Sequence, residues 1–405
     1  METLEITIDD VAAGGDGLGH APDGRVVFVP SALRGERVRV RVVDDRPRMV
    51  RAELADVLDA SPGRIEAACP HVAAGCGGCG WQHVSLEEQR HAKVRIAEEA
   101  LRRIGRLPGV VEHGSPLPGE GFRTTVRCLV KGGRAAFRAA GSHEPVPVDS
   151  CLVAHPGIDE LIQRGRFGDA AEVTLRVGAM TGERLAVLAP RVPDGIDLPD
   201  DVRVVGADEL ASGRRAWFAD EVAGHRFRIS ADSFFQTRTD GAEALVSAVR
   251  DAGAGTWGIG HLVDLYGGVG LFSAVLGHGM RVTIVEANRA AAADARHNTR
   301  HLDATVVRVS AERWRPSTAD VVVADPPRAG LGARVVETIG ATAARRVALV
   351  SCDPAAFGRD ARLLADVGFE RRWTRTVDLF PHTPHVELIS RFDRVDGLDR
   401  GEHRT

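Results

Sequence analysis

The stretch Val263-Asp264-Leu265-Tyr266-Gly267-Gly268-Val269-Gly270-Leu271-Phe272 decides the fold. An apolar run carrying one acid ends in glycines, and a helical pattern follows. Glycines there let the backbone approach a ligand at the carboxyl end of a first strand. Short apolar runs recur downstream at Val282 to Val285, Thr305 to Val309, Val321 to Ala324 and Val347 to Val350. Helical stretches separate most of them, so the region predicts an α/β unit with a doubly wound, mainly parallel sheet. Arg372 to Leu379 and Val386 to Phe392 read as two further strands around a Pro/His-rich turn.

Glu286 closes the second of these strands, 22 residues after Asp264. A carboxylate there suits ribose hydroxyls, in a dinucleotide or in S-adenosylmethionine. The dinucleotide fingerprint G-x-G-x-x-G fits poorly, because Ser273 stands at its third glycine position. Asp325-Pro326-Pro327-Arg328 and Ser351-Cys352-Asp353-Pro354 follow two other strands of the same unit, and His385-Val386-Glu387 opens the last. A thiol at one strand end with a carboxylate a short way on suits attack on an electron-poor ring, followed by removal of a proton. Carbon-5 of uracil needs such help, because it is a poor nucleophile at neutral pH. Cys352 is the natural nucleophile and Glu387 the natural base, with His382 and His385 as competing bases.

Upstream, the texture changes. Residues 1–60 predict a small β domain with strands at Val26 to Pro30 and Arg37 to Val42. Period two puts Arg37, Arg39 and Arg41 on one face and Val38, Val40 and Val42 on the other. The arginine stripe is either a solvated face or a surface for a phosphate backbone. Residues 61–236 predict a mostly β central domain that begins with a cysteine-rich segment. Within it, Ser85 and Glu88 form a capping-box pattern ahead of the stripe Val94, Ala97, Leu101 and Ile104, and Gly105 ends that helix. Residues 237–395 form the α/β domain and 396–405 a polar tail.

Cys69, Cys76 and Cys79 place three thiols within eleven residues, spaced by glycines. A fourth ligand would come from Cys128, Cys151 or Cys352. An iron–sulfur cluster, structural zinc and no metal all remain open on spacing, with the three-plus-one pattern favouring a cluster.

The bulk numbers narrow the class. The chain has 405 residues, 44% hydrophobic and 27% charged, which is ordinary for a multi-domain globular protein. No apolar run approaches the roughly 18 residues of a membrane helix, and the acidic N-terminus lacks a signal-peptide stretch, so a cytoplasmic protein is expected. A net charge of −4 argues at first sight against a nucleic-acid partner, but the distribution of charge matters more than its sum. Positive charge is almost entirely arginine, with Lys93 and Lys131 the only lysines.

Together these blocks resemble the RNA uracil-C5 methyltransferase family, in its iron–sulfur branch with an N-terminal TRAM domain. The resemblance rests on Asp23-Gly24-Arg25-Val26-Val27-Phe28-Val29-Pro30, the Cys69–Cys79 segment with Gln82-His83, Phe234-Phe235-Gln236, Asp264-Leu265-Tyr266, Asp325-Pro326-Pro327-Arg328, Ser351-Cys352 and the run from His382 to Glu387. It implies a class I methyltransferase domain of Rossmann-like form behind an OB-like RNA-binding barrel. It implies Cys352 as nucleophile and Glu387 as proton acceptor. Gln236, Tyr266, Glu286 and Asp325 would line the site for S-adenosylmethionine and the target base. Cys69, Cys76, Cys79 and Cys151 would hold a 4Fe-4S cluster, Cys151 being preferred to Cys128 because its surroundings resemble the segment that supplies the fourth ligand. The implied partner is RNA, ribosomal RNA ahead of transfer RNA, and the implied protein is a monomer without a membrane partner. An amino-group methyltransferase is the rival enzyme, although Arg328 stands where it would have an aromatic residue. An RNA-binding protein with a dead site is the rival from another class. The chain departs from the family at Asp353, where asparagine is common, at Gly267, where cysteine or alanine is common, and in a first cysteine spacing one residue longer than in some relatives. Asp353 is expected to raise the pKa of Cys352 as a like charge.

Overall fold

Alternation in Arg37–Arg46 buries Val38 and Val40 completely. With Thr3–Val11, Gly17–His20, Val26–Val29 and Met49–Asp59, that strand closes a five-stranded barrel. Ile8, Val27, Val29 and Val50 fill it. Gly19 is required where strands cross, since a Cβ there would lie 2.5 Å from the Thr7 carbonyl oxygen. The computed structural model describes residues 2–253 and 260–395. The polar tail 396–405 lies outside the described residues.

The helix after the cysteine segment runs Leu86–Ala100, with the Ser85 hydroxyl accepting the Glu88 amide at 3.3 Å. The reciprocal half of the capping box is missing: the Glu88 carboxylate bonds Arg95, and the Ser85 amide donates to the Gly63 carbonyl. The expected helix also does not continue regularly to Gly105. Leu101–Gly105 forms a wider π-type turn, which leaves Ile104 44% exposed.

The central region is a six-stranded mixed sheet in the order Val202–Gly206, Arg184–Ala189, Glu172–Val177, Thr125–Lys131, Arg134–Arg138 and Pro145–Pro147. Helix Pro156–Arg164 covers it through Ile158, Leu161 and Ile162. A hairpin of Trp217–Val222 and His225–Ser230 leads into the α/β unit.

That unit holds a seven-stranded sheet in the order Asp303–Val307, Arg281–Val285, His261–Leu265, Val321–Ala324, Arg346–Ser351, Glu387–Arg394 and Phe369–Val377. The first five are parallel, Glu387–Arg394 runs antiparallel to both its neighbours, and Phe369–Val377 points the same way as the first five. Helices pack on both faces, so the central strands are apolar throughout rather than alternating. Each fully buried Val, Leu or Ile contributes about 1.5–3 kcal/mol relative to exposure. No helix of the described residues is long and apolar enough to cross a membrane.

Candidate active site and a cysteine-lined cavity

Parallel strands deliver their next residues to one edge of the sheet. Leu265 pairs with Val285 and with Ala324, and Ala324 pairs with Leu349. Tyr266, Glu286 and Asp325 therefore stand side by side at the carboxyl edge, with Cys352 beyond Ser351. The antiparallel strand enters from the same edge. Ser351 pairs with Leu388, and that register runs on to bring Cys352 opposite Glu387. The turn is what sequence periodicity does not show: Glu387 lies 35 residues from Cys352 in the chain yet belongs to the neighbouring strand.

The edge is strongly acidic. Burial pushes the Asp264 carboxyl up to about 7, although it accepts the Ser273 hydroxyl at 2.6 Å and the Ser273 amide at 3.3 Å. Ser273, which breaks the dinucleotide fingerprint, is thus the partner of the first strand's acid. The other Asp264 oxygen is buried without a partner. Burial, then the charge of Asp264, raises Asp325. Burial, then Asp325, raises Glu387 well above the carboxylate range. Burial comes first for Cys352 too: its thiol is pushed up to about 11, with Glu387 and Asp325 adding to the shift and Arg328 opposing it. Asp353 is not the like charge. Its carboxylate accepts the Ala356 amide at 2.8 Å and caps helix Pro354–Asp366, so the expectation of a direct effect on Cys352 is replaced by Glu387 and Asp325.

The glycine loop is held from the second strand. Glu286 accepts the Gly268 amide at 2.9 Å and the Asn288 amide at 2.6 Å. Tyr266 takes a left-handed φ of 59°, an uncommon conformation for a side chain of that size. Burial pushes its hydroxyl pKa up, and the nearby Glu312 carboxylate adds to the shift. Gly267 is a glycine because Ile284 fills the space: a Cβ there would meet Ile284 Cγ2 at 2.5 Å. Gln236 is buried, while its neighbour Phe234 is 69% exposed.

The two histidines diverge. The His382 ring faces inward, with Nε2 at 3.0 Å from the Gly119 carbonyl, and its amide donates to Gln89 at 2.6 Å. It is a turn residue. His385 stays beside Arg328, and burial followed by that cation lowers its pKa.

Three positions escaped the sequence reading. Arg176, 4% exposed, donates from Nη1 to the carbonyls of Ser230, Ala231 and Ser233, at 2.9–3.2 Å, below the Gln236 loop. Asp294, fully buried, accepts the Ser230 amide and the Ser233 hydroxyl, each at 2.8 Å. Lys93 bonds Asp378 at 3.0 Å and the Phe380 carbonyl at 2.8 Å, fixing the turn that leads to Glu387. Lys93 had a signal: it is one of only two lysines in a chain that otherwise uses arginine.

A second feature lies in the central region. Cys69, Cys76, Cys79 and Cys151 line one cavity of about 290 Å³, together with His71, Gln82 and Arg123. Cys128 is buried in its strand and Cys352 stands at the carboxyl edge; neither lines the cavity. Burial raises the Cys79 thiol to about 11, and Cys76 and Cys151 move the same way for the same reason. Among the described residues, no group of three or more His, Cys, Asp or Glu closes on a point that could hold a metal ion.

The barrel matches the TRAM domain model over residues 1–55. An uncharacterised RNA methyltransferase of Streptomyces avermitilis is 35% identical, over 96% of this chain and 98% of its own. Another, from Thermosynechococcus vestitus, is 31% identical over 96% and 97%. The fold is shared with the Pyrococcus abyssi tRNA (uracil-54, C5)-methyltransferase in complex with S-adenosyl-L-homocysteine, at a TM-score of 0.74 and 23% identity, over 96% of this chain and 99% of that one. With near-complete coverage at this identity, and with the TRAM barrel in place, the chain belongs to this family of RNA methyltransferases.

Proposed function

We propose that the protein methylates carbon-5 of a uridine in RNA, using S-adenosylmethionine as donor and Cys352 as covalent nucleophile. The observation that carries this reading is the register that sets Cys352 against Glu387, with Asp325 beside them. A methyltransferase acting on an exocyclic amine needs no thiol there.

The Cys352 thiolate adds to carbon-6 of the uracil ring and leaves an enolate, whose carbon-5 takes the methyl group from the sulfonium as S-adenosylhomocysteine departs. Carbon-5 then carries both methyl and hydrogen. Glu387 removes that proton, the ring electrons re-form the 5,6 double bond, and the carbon–sulfur bond breaks to return the thiolate. Burial and Asp325 raise the proton affinity of Glu387, so its carboxylate, when ionised, is a stronger base toward the carbon-5 proton than an exposed one. The thiol begins protonated, because burial and two carboxylates oppose its charge, so a cationic donor bound at this edge would favour the thiolate. Glu286 and Tyr266 hold the donor's side of the site, and Gln236 and Asp325 the base's side. Target bases are flipped out to reach such an edge.

Cys69, Cys76, Cys79 and Cys151 hold a 4Fe-4S cluster in this reading. Support comes from the set that lines one cavity, larger than an ion requires, and from the exclusion of Cys128 from its lining. The cluster would tie the segment around Cys69 to that around Cys151. The RNA is ribosomal in our reading; transfer RNA is the alternative and the named substrate of the Pyrococcus abyssi protein. The three units, 1–60, 61–236 and 237–395, act as RNA grip, cluster domain and catalytic domain of a cytoplasmic monomer.

The test is Glu387→Gln. The variant should form the thioether and transfer the methyl group, then release RNA slowly. A band of enzyme bound to RNA should appear on a denaturing gel, dependent on both S-adenosylmethionine and Cys352. Adduct without Cys352, or full turnover by Glu387→Gln, contradicts the roles assigned.

A further inference from the structure

The barrel's arginine stripe is already neutralised. Arg37 bonds Asp59 at 2.7 Å, Arg39 bonds Glu5 at 2.9 Å and Asp56 at 3.0 Å, and Arg41 lies 3.7 Å from Glu53. Arg25 is paired with Asp23 and Asp45, and Arg46 with Asp44. Residues 1–59 hold eight arginines against twelve Asp and Glu, a net charge of −4. Polyanion binding gains little from a surface whose cations are matched by carboxylates at contact distance.

Another surface lacks that matching. Arg308, Arg313, Arg315, Arg328 and Arg334 are all exposed. None has a side-chain hydrogen bond or an ion pair among the described residues. They come from two segments at the carboxyl edge. Arg308 follows strand Asp303–Val307, Arg313 ends a short 3₁₀ turn at Ala311–Arg313, and Arg315 lies two residues beyond it. Arg328 follows strand Val321–Ala324, and Arg334 sits in the first turn of helix Gly332–Ala341. The 3₁₀ turn lies beside the glycine loop: Glu312 is near enough to Tyr266, and to Arg334, to interact with each electrostatically, but it forms no ion pair with an arginine of this group. The carboxylates between residues 308 and 334 are Glu312, Asp320 and Asp325. Asp320 lies at the opposite end of its strand, bonded to the His261 amide at 2.9 Å.

We propose that this arginine rim, Arg308, Arg313, Arg315, Arg328 and Arg334, is a phosphate-contacting surface for the RNA backbone, and that the barrel's stripe is not. The proposal rests on RNA as the substrate and on nothing about the base or the position modified. Unpaired guanidiniums, exposed beside the reacting edge, meet phosphates without first breaking an ion pair. The barrel then contributes shape and base contacts rather than charge.

Binding of a fluorescently labelled 20-nucleotide polyuridine, measured by anisotropy across a salt series, tests this. Each lost phosphate contact lowers the slope of log K against log salt by about 0.7 for a single strand. Arg308→Gln/Arg313→Gln/Arg315→Gln should lower the slope by about 2, and Arg334→Gln by a further ~0.7. Arg37→Gln/Arg39→Gln/Arg41→Gln should leave it within ~0.5 of the parent. An unchanged slope in the rim variant, or an equal drop in the barrel variant, overturns the proposal. The substituted side chains are solvent-exposed, and unchanged S-adenosylhomocysteine binding by calorimetry reports that the sheet edge is intact. Because binding alone is read, failure here leaves the methylation chemistry untouched, and failure of the adduct assay leaves the rim untouched.

Discussion

Cys352 sits among charges that oppose its reactive form. Glu387 and Asp325 both push the thiol up, and Arg328 is the one cation acting the other way. Removing one carboxylate charge should therefore ease ionisation. Glu387→Gln is expected to react several-fold faster with iodoacetamide at pH 8 than the parent, with the pH profile displaced downward. Equal rates would mean that Glu387 does not face the thiol. Unfolding would also expose the thiol and abolish turnover, so the gain counts only in a variant that still binds S-adenosylhomocysteine as the parent does. Two of the three departures from the family pattern, Asp353 and Gly267, also find local reasons. Asp353 caps a helix with its carboxylate, a job asparagine does equally well. Gly267 yields its side-chain space to Ile284.

Elements followed the sequence where one pattern dominated. Parallel strands such as Val321–Ala324 are buried on both faces, and unbroken apolar runs identify them. Met49–Asp59 did not stand out, because its pairing with Arg37–Arg46 shifts register several times and places Glu53 and Asp56 toward solvent. The helix does end at Gly105, but Ile104 leaves the buried stripe for a different reason. The apolar spacing continues, but the backbone widens at Leu101–Gly105 where the chain meets helix Pro354–Asp366. That contact depends on small residues: a Cβ on Gly358 would lie 2.6 Å from the Ala100 carbonyl oxygen. Gly358→Ala should cost about 1–3 kcal/mol, read as a shifted urea midpoint. An unshifted midpoint would mean that the two helices separate without loss. The Cys352–Glu387 pairing was legible as a pair of residue types and motif blocks. Its geometry came from strand order, and the clamps by Arg176 and Asp294 came from contacts 54 and 61–64 residues apart.

At the level of the whole molecule, several buried carboxyls share one edge, and this links stability to pH. Asp264 is raised to about 7 in the fold and relaxes to roughly 3.9 when unfolded. Below that unfolded value both states hold the proton and the fold keeps its full stability. Between the two values the unfolded chain has lost the proton and the folded chain has not, so stability falls as pH rises, by up to about 1.4 kcal/mol per pH unit for each such carboxyl. Asp325 and Glu387 act in the same direction. The denaturation midpoint should drop between pH 5 and pH 7, and Asp264→Asn should flatten the drop; an identical profile in the variant would remove Asp264 as a cause. Methylation at carbon-5 is read in the product rather than in the fold. Nucleoside mass spectrometry of separated ribosomal and transfer RNA, from a strain lacking the gene, measures that product. 5-Methyluridine should disappear from one RNA fraction, ribosomal in our reading, and return with the wild-type gene but not with Cys352→Ala. Unchanged 5-methyluridine in both fractions, or full restoration by Cys352→Ala, would contradict that reading.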